Sequence, residues 1–232
     1  MVGKLNLILG PMFSEKTTEL DSRRRKYTIG GKKCLMVKYR GDNRYSTEEI
    51  VTHNGIKIQA TVCEMLYEID DQVSTYDVIC IDEIQFYKDG DIFCEKWANE
   101  GKIVEACGLN GTFKRTEFNI ISKLVPLAEN ITYKTAICRE TGNDAPFSFL
   151  TTFQKETKEK VIGGSDLYKA FDRETYLKHT PFAGALGKTF VKRMGDIYGL
   201  DIDTEKVKFD HTKPFNKEIE KIMPKDVNVK SM

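Results

Sequence analysis

The sequence predicts an α/β fold, a doubly wound parallel sheet with helices on both faces and its ligand outside the carboxyl ends of the strands. Two observations carry that prediction. Short apolar runs rich in branched residues alternate with longer segments of helical spacing. The first run leads directly into Gly10-Pro11-Met12-Phe13-Ser14-Glu15-Lys16-Thr17-Thr18, a near match to a phosphate-binding loop.

In chain order, Leu5 to Leu9 reads as a buried strand, and the loop follows it. The full pattern asks for Gly, four residues, Gly, Lys and Ser/Thr. Its backbone N–H groups cradle phosphates, its lysine reaches the outer phosphates and its hydroxyl binds Mg²⁺. Gly10, Lys16 and Thr17 fit, while Glu15 stands where the second glycine belongs. Lys16 to Thr28 has helical spacing, so the strand and helix that such a loop needs are both present. Cys34 to Val37, Val78 to Ile81 and Ile103 to Cys107 read as further parallel strands, and Asp89 to Asn99 as a helix capped by Gly101.

The Val78 to Ile81 strand runs into Asp82-Glu83-Ile84-Gln85-Phe86. An acidic residue directly after such a strand lies close enough to bound phosphates to hold Mg²⁺, directly or through water, which makes Asp82 the metal candidate. Glu83 is the candidate base, because phosphoryl transfer needs mainly positioning, charge neutralisation and one proton acceptor. Without the upstream loop, a solvated strand end is the alternative reading of the same pair.

At 232 residues and 40% hydrophobic content the chain can bury a sizeable core. Thirty-six basic residues against 35 acidic ones leave a net charge of +1, which argues against a nucleic-acid or membrane partner drawn by bulk charge. The expected partner is a small molecule or a protein. No apolar stretch is long enough for a bilayer and the N-terminus does not look like a signal peptide, so a cytoplasmic location is expected. Six cysteines, at 34, 63, 80, 94, 107 and 138, are scattered singly and read as buried hydrophobes rather than a disulfide framework.

Six stretches, in order and spacing, resemble the type II thymidine kinases of the cellular and poxviral branch, over about residues 4–176. They are Gly10 to Leu20, Asp42-Asn43-Arg44-Tyr45-Ser46, Thr52-His53-Asn54-Gly55, Asp82 to Phe86, Gly108-Leu109-Asn110-Gly111-Thr112-Phe113, and Val161-Ile162-Gly163-Gly164-Ser165-Asp166-Leu167-Tyr168. The resemblance implies a P-loop nucleotide-binding domain over 1–133, a small β-rich lasso lobe over 134–176, and a polar, partly helical C-terminal extension over 177–232. It implies ATP and Mg²⁺ as cofactors, thymidine as the substrate and a homotetramer. Gly10, Pro11, Met12, Phe13, Ser14, Glu15, Lys16, Thr17, Asp42, Arg44, Asp82 and Gln85 would serve ATP, with Thr17 and Asp82 on the metal and Glu83 as base. Met12, Phe86, Leu109 and Phe113 would surround the nucleoside base. The lasso span Glu159, Lys160, Val161, Ile162 and Gly163, with Tyr168 nearby, would hold it through the backbone. Taken singly, Phe86 and Phe113 are ordinary core residues and His53 an ordinary surface residue.

The sequence departs from that family at several points. Glycine suits a phosphate loop because a Cβ obstructs the backbone, and a carboxylate repels phosphate by about 4 kcal/mol per unit-charge pair at about 4 Å and an effective dielectric of about 20. Turning the Glu15 side chain to solvent avoids most of this. The family's two Cys-x-x-Cys pairs read here as Cys138-Arg139-Glu140-Thr141 and Asp172-Arg173-Glu174-Thr175. Cys138 is the only remaining thiolate, so no zinc is expected, and a hairpin around Pro146 to Phe153 would rely on packing. Glu105 interrupts an apolar strand and must be partnered or raised in pKa, unless that strand is less buried than its pattern. Gly184-Ala185-Leu186-Gly187-Lys188-Thr189 imitates a phosphate loop but has Phe182 where the first glycine belongs. A working kinase, a nucleotide-binding protein without transfer, and an interaction scaffold remain the three readings.

Overall fold

The computed structural model describes residues 3–42, 49–51, 57–151 and 167–179, with positions 192, 193, 195, 196 and 199 beyond them. The chain divides into two compact units, Met1–Thr175 and Tyr176–Met232, and the sheet, the loop and the small hairpins belong to the first. In the second, helical backbone is described at 176–179, 192–193 and 195–196.

The elements run β1 (Lys4–Gly10), α1 (Lys16–Ile29), β2 (Cys34–Tyr39), β3 (Glu49–Val51), β4 (Lys57–Gln59), β5 (Thr61–Cys63), α2 (Asp70–Val73), β6 (Val78–Ile81) and α3 (Gly90–Asn99). They continue as β7 (Ile103–Leu109), α4 (Asn119–Leu124), β8 (Asn130–Tyr133), β9 (Ala136–Ile137), β10 (Asp144–Ala145), β11 (Phe147–Leu150), β12 (Tyr168–Phe171) and α5 (Arg173–His179). Six strands form one sheet in the order β5-β2-β6-β7-β1-β8, and every pairing in it is parallel. The four strands expected from the apolar runs are its centre. They lie side by side because both of their faces are covered, the condition under which parallel sheets are stable.

Alternation along each strand sorts the two faces. Leu5, Leu7, Leu9, Val104 and Ala106 face α3 and α4, where Trp97, Ile121 and Leu124 complete one core. Ile8, Cys80 and Cys107 face the other way, against Leu20 of α1. Gly101, at φ 89, ends α3 as the sequence predicts, with the Lys102 amide returning to the Trp97 carbonyl at 2.9 Å.

Asn6 and Glu105 are paired in register on the α1 face, and Glu105 is 1% exposed. The middle of the strand is buried, and of the alternatives open to Glu105 the structure supplies partners. Its carboxylate accepts from Asn6 Nδ2 at 2.6 Å, Tyr27 Oη at 2.8 Å and Arg23 at 3.0 Å. Arg23 also donates to Glu19 and to Thr132 of β8, so one guanidinium fastens α1 to two strands.

Outside the sheet, β9 pairs antiparallel with β10, and β11 with β12. The lobe's hairpin thus joins Phe147–Leu150 to Tyr168–Phe171, with Phe149 against Phe171 at 4.8 Å between ring centres. Its arms are farther apart in sequence than the expected turn around Pro146 to Phe153. β3 and β4 form a separate antiparallel pair.

Candidate active site

The strand order sets the site. With β6, β7 and β1 adjacent, their carboxyl ends bring the Gly10 loop, Asp82-Glu83 and Leu109-Asn110 to one edge of the sheet. The Asn110 amide donates to the Gly10 carbonyl at 3.2 Å, closing β7 against the start of the loop. Gly10 has no room for a side chain, since a Cβ there would stand 2.4 Å from the Lys134 carbonyl oxygen and 2.6 Å from Ser14 Oγ.

Within the loop, Ser14 Oγ donates to the Pro11 carbonyl at 2.8 Å and the Lys16 ammonium donates to the same oxygen at 2.6 Å. Glu15 adopts the left-handed conformation, φ 56 and ψ 34, that glycine usually supplies at this position. Its carbonyl accepts the Glu19 amide at 3.0 Å and so starts α1, while its side chain is exposed. The loop keeps its shape at the cost of about 1–2 kcal/mol of local strain. The carboxylate points away from the protein interior.

At the next turn the Thr17 hydroxyl donates to Asp82 Oδ1 at 3.1 Å, joining the two residues expected to share Mg²⁺. Cys107 Sγ lies 2.9 Å from that same oxygen. Asp82 is buried, at 6% exposure, so an isolated charge there would be unfavourable, and these donors meet part of its need. A hydroxyl bound to one carboxylate and open to a cation on its lone pairs is the donor set a hard divalent ion takes, so the pair fits Mg²⁺. Glu83 is also left-handed, φ 55 and ψ 44. Gln85 Nε2 donates to Glu83 Oε2 at 2.6 Å, and Gln85 Oε1 accepts the Leu109 amide at 3.1 Å. Gln85 therefore sets the direction of Glu83 from the neighbouring strand. A cleft of about 340 Å³ opens beside it, lined by Lys88, Thr112, Phe118 and Lys123 among others.

Met12, Phe113 and Tyr168 come together in a small buried cluster with Leu150, and Phe13, Leu109 and Leu167 border it. Four residues expected around the base, Met12, Leu109, Phe113 and Tyr168, are thus neighbours. Phe86 is not in that cluster. It packs on Tyr39 with 5.3 Å between ring centres. Asp42 is buried just past β2, its amide on the Tyr39 carbonyl at 3.0 Å. Arg44 and Glu159, Lys160, Val161, Ile162 and Gly163 lie outside the described residues. Two participants had no sequence signal. Leu150 fills the cluster, and Ser148 Oγ accepts the Met12 amide at 3.0 Å, tying the loop to β11.

The four positions where the resemblance implies metal ligands, Cys138, Thr141, Asp172 and Thr175, also meet. Thr141 Oγ1 and the Thr175 amide donate to the two oxygens of Asp172, and Cys138 Sγ bonds Thr175 Oγ1 at 3.5 Å. Thr141 and the Thr175 amide hold the Asp172 carboxyl down at about 2. Burial pushes the Cys138 thiol up, but hydrogen bonding with Thr141, Thr175 and nearby amides outweighs it and brings it to about 7. One thiol, two hydroxyls and a carboxylate already engaged by its neighbours do not fit a four-thiolate zinc site.

The chain matches the family model described as thymidine kinase over residues 3–176. It is 42% identical to the thymidine kinase of vaccinia virus (strain Western Reserve) over 175 residues, covering 75% of this chain and 97% of the viral protein. The variola virus (isolate Human/India/Ind3/1967) thymidine kinase is 43% identical over 175 residues with the same coverage. For the sheeppox virus (strain KS-1) thymidine kinase the figure is 43% over 174 residues, again 75% and 97%. A match of that length and identity settles the family, and this chain belongs to the type II thymidine kinases, a family of phosphotransferases.

Proposed function

We propose that this protein transfers the γ-phosphoryl group of ATP to the 5′-hydroxyl of thymidine, giving thymidine monophosphate and ADP. Glu83 accepts the hydroxyl proton as the 5′-oxygen bonds to the γ-phosphorus and the bridging bond to ADP breaks. Lys16 moves from the Pro11 carbonyl to the outer phosphates, with Arg44 and Asp42 nearby. Thr17 and Asp82 would hold Mg²⁺, which when bound neutralises the phosphate charge. Met12, Leu109, Phe113 and Tyr168 supply apolar area for a flat pyrimidine, and the lasso backbone from Glu159 to Gly163 selects it by hydrogen bonds.

The observation that carries this reading is the Thr17–Asp82 bond with Glu83 next along the chain, held by Gln85 toward the strand that ends in Leu109. The exposure of Glu15 supports turnover over a loop that repels its nucleotide. Hydrogen bonds around Asp172 support a lobe that closes without zinc. A homotetramer and a cytoplasmic location belong to the same reading, by kinship with the family.

The test is thymidine-dependent ADP release from Mg-ATP, beside Glu83→Gln. The variant is expected to lose about 10²- to 10⁴-fold in rate while keeping the melting shift caused by ATP. A parent protein that melts higher with ATP yet releases no ADP with thymidine overturns the proposal in favour of nucleotide binding without transfer.

A further inference from the structure

Asp82 is the residue on which the metal half of the site turns, and its surroundings hold a group the reaction scheme does not use. Ile81 of β6 is in register with Ala106 of β7, so Asp82 and Cys107 are the next facing pair. Side chains at one level of adjacent parallel strands leave the sheet on the same face. On this face Cys107, at 1% exposure, belongs to the buried cluster that includes Ile8 of β1 and Leu20 of α1. Its Sγ is 2.9 Å from Asp82 Oδ1, the oxygen that also receives the Thr17 hydroxyl at 3.1 Å.

We infer that Cys107 is a positioning residue for metal binding, whose thiol donates to Asp82 Oδ1 and fixes the carboxylate before the cation arrives. The inference rests on the proposal that Thr17 and Asp82 hold Mg²⁺. Two donors converge on one oxygen from different elements, α1 and β7, so the carboxylate cannot swing about its χ2 without breaking both contacts. Thr17 alone would be a weaker guide, because its oxygen is itself a candidate ligand. Asp82 Oδ1 is the acceptor that the geometry gives the thiol's single proton, so the sulfur is the donor of the pair. A small apolar residue would fill the same core volume but could not hold the carboxylate. A group behind a metal ligand fixes the ligand's orientation and so tunes metal affinity.

The experiment compares Cys107→Ala and Cys107→Ser with the parent by titrating Mg²⁺ at fixed ATP and reading the melting shift, with Mn²⁺ binding in the presence of ATP followed by electron paramagnetic resonance. Cys107→Ala is expected to need roughly threefold to tenfold more cation for half-saturation, the size of one ordinary net hydrogen bond. Cys107→Ser keeps a donor and is expected to stay near the parent. A purely structural role would lower the melting temperature without ligand and leave the cation midpoint in place. An unchanged midpoint in Cys107→Ala, or equal weakening in Ala and Ser variants, overturns the inference. A parent that binds Mg-ATP but transfers nothing to thymidine sinks the kinase reading alone, since these readouts need no turnover.

Discussion

Arg23 offers a quantitative test of how α1, and with it the phosphate loop, is held to the sheet. Its guanidinium is 19% exposed and bonds Glu105, Glu19 and Thr132, and its pKa is raised because the bonds to the two carboxylates outweigh burial. Replacing it with methionine leaves Glu105 buried with Asn6 and Tyr27 as remaining donors. Removing one partner of a buried pair costs about 3–5 kcal/mol, and the two surviving hydrogen bonds argue for the lower end. For a chain of this size about 3 kcal/mol corresponds to a fall in melting temperature of about 6–12 °C. Replacing both charges, Arg23→Met with Glu105→Leu, removes the unpaired carboxylate and is expected to recover much of that loss, so the double variant is more stable than the sum of the singles predicts. Urea unfolding of the four proteins of this cycle gives the coupling directly. Single variants that each cost under about 0.5 kcal/mol, or losses that simply add, would refute the view of Arg23 as the fastening of α1.

Four further outcomes follow from the loop and the lobe. Glu15→Gly relieves a left-handed side chain but loosens the unfolded chain, so unfolding free energy should change by less than about 1 kcal/mol. The affinity for ATP should rise, more at low than at high ionic strength, and a salt-independent gain would contradict a screened, exposed carboxylate. In the lobe, the Cys138 pKa is depressed from an ordinary thiol value to about 7. Its stabilising contribution is therefore fully present above the unfolded thiol's pKa and fades as pH falls through about 7. The stability difference between parent and Cys138→Ser should grow from pH 7 to 9, and a flat difference over that window counts against the assignment. Chelator treatment should leave the melting curve in place, whereas a fall would reveal a metal that the Asp172 cluster does not accommodate.

The central strands and the loop were legible because their signals are local. Branched runs of strand length, and a glycine, lysine and threonine at fixed spacing, need no knowledge of what lies across the sheet. Asp82 and Glu83 could be found for the same reason, by following one apolar run to its end. Contacts set by strand register were not legible. Glu105 stood out as a charge in an apolar run, yet its partners lie 78 to 99 residues away and only the β1–β7 alignment and the seating of α1 bring them in. Cys107 looked like any buried cysteine until β6 and β7 were aligned. Ser148 and Leu150 belong to a strand whose partner lies beyond a long connection, so nothing in their neighbours marks them. Phe86 follows the same motif as Asp82, but its ring meets Tyr39, which sequence order alone does not disclose. At 138, 141, 172 and 175 the sequence alone shows only one cysteine where the resemblance implies four, while hydroxyl and carboxylate chemistry gives these residues hydrogen bonds to one another.

The seam between the Met12 amide and Ser148 Oγ makes the phosphate loop and the lobe's hairpin one mechanical piece. Ordering either end lowers the entropy still to be lost at the other. A nucleotide that stiffens the loop therefore favours whatever settles against the hairpin, and linkage requires the favour to be returned by the same factor. The Ser148 hydroxyl is one path for such coupling, beside the buried cluster that Met12 shares with Leu150 and Tyr168. Its removal should reduce the help that each ligand gives the other, leaving the part carried by that packing.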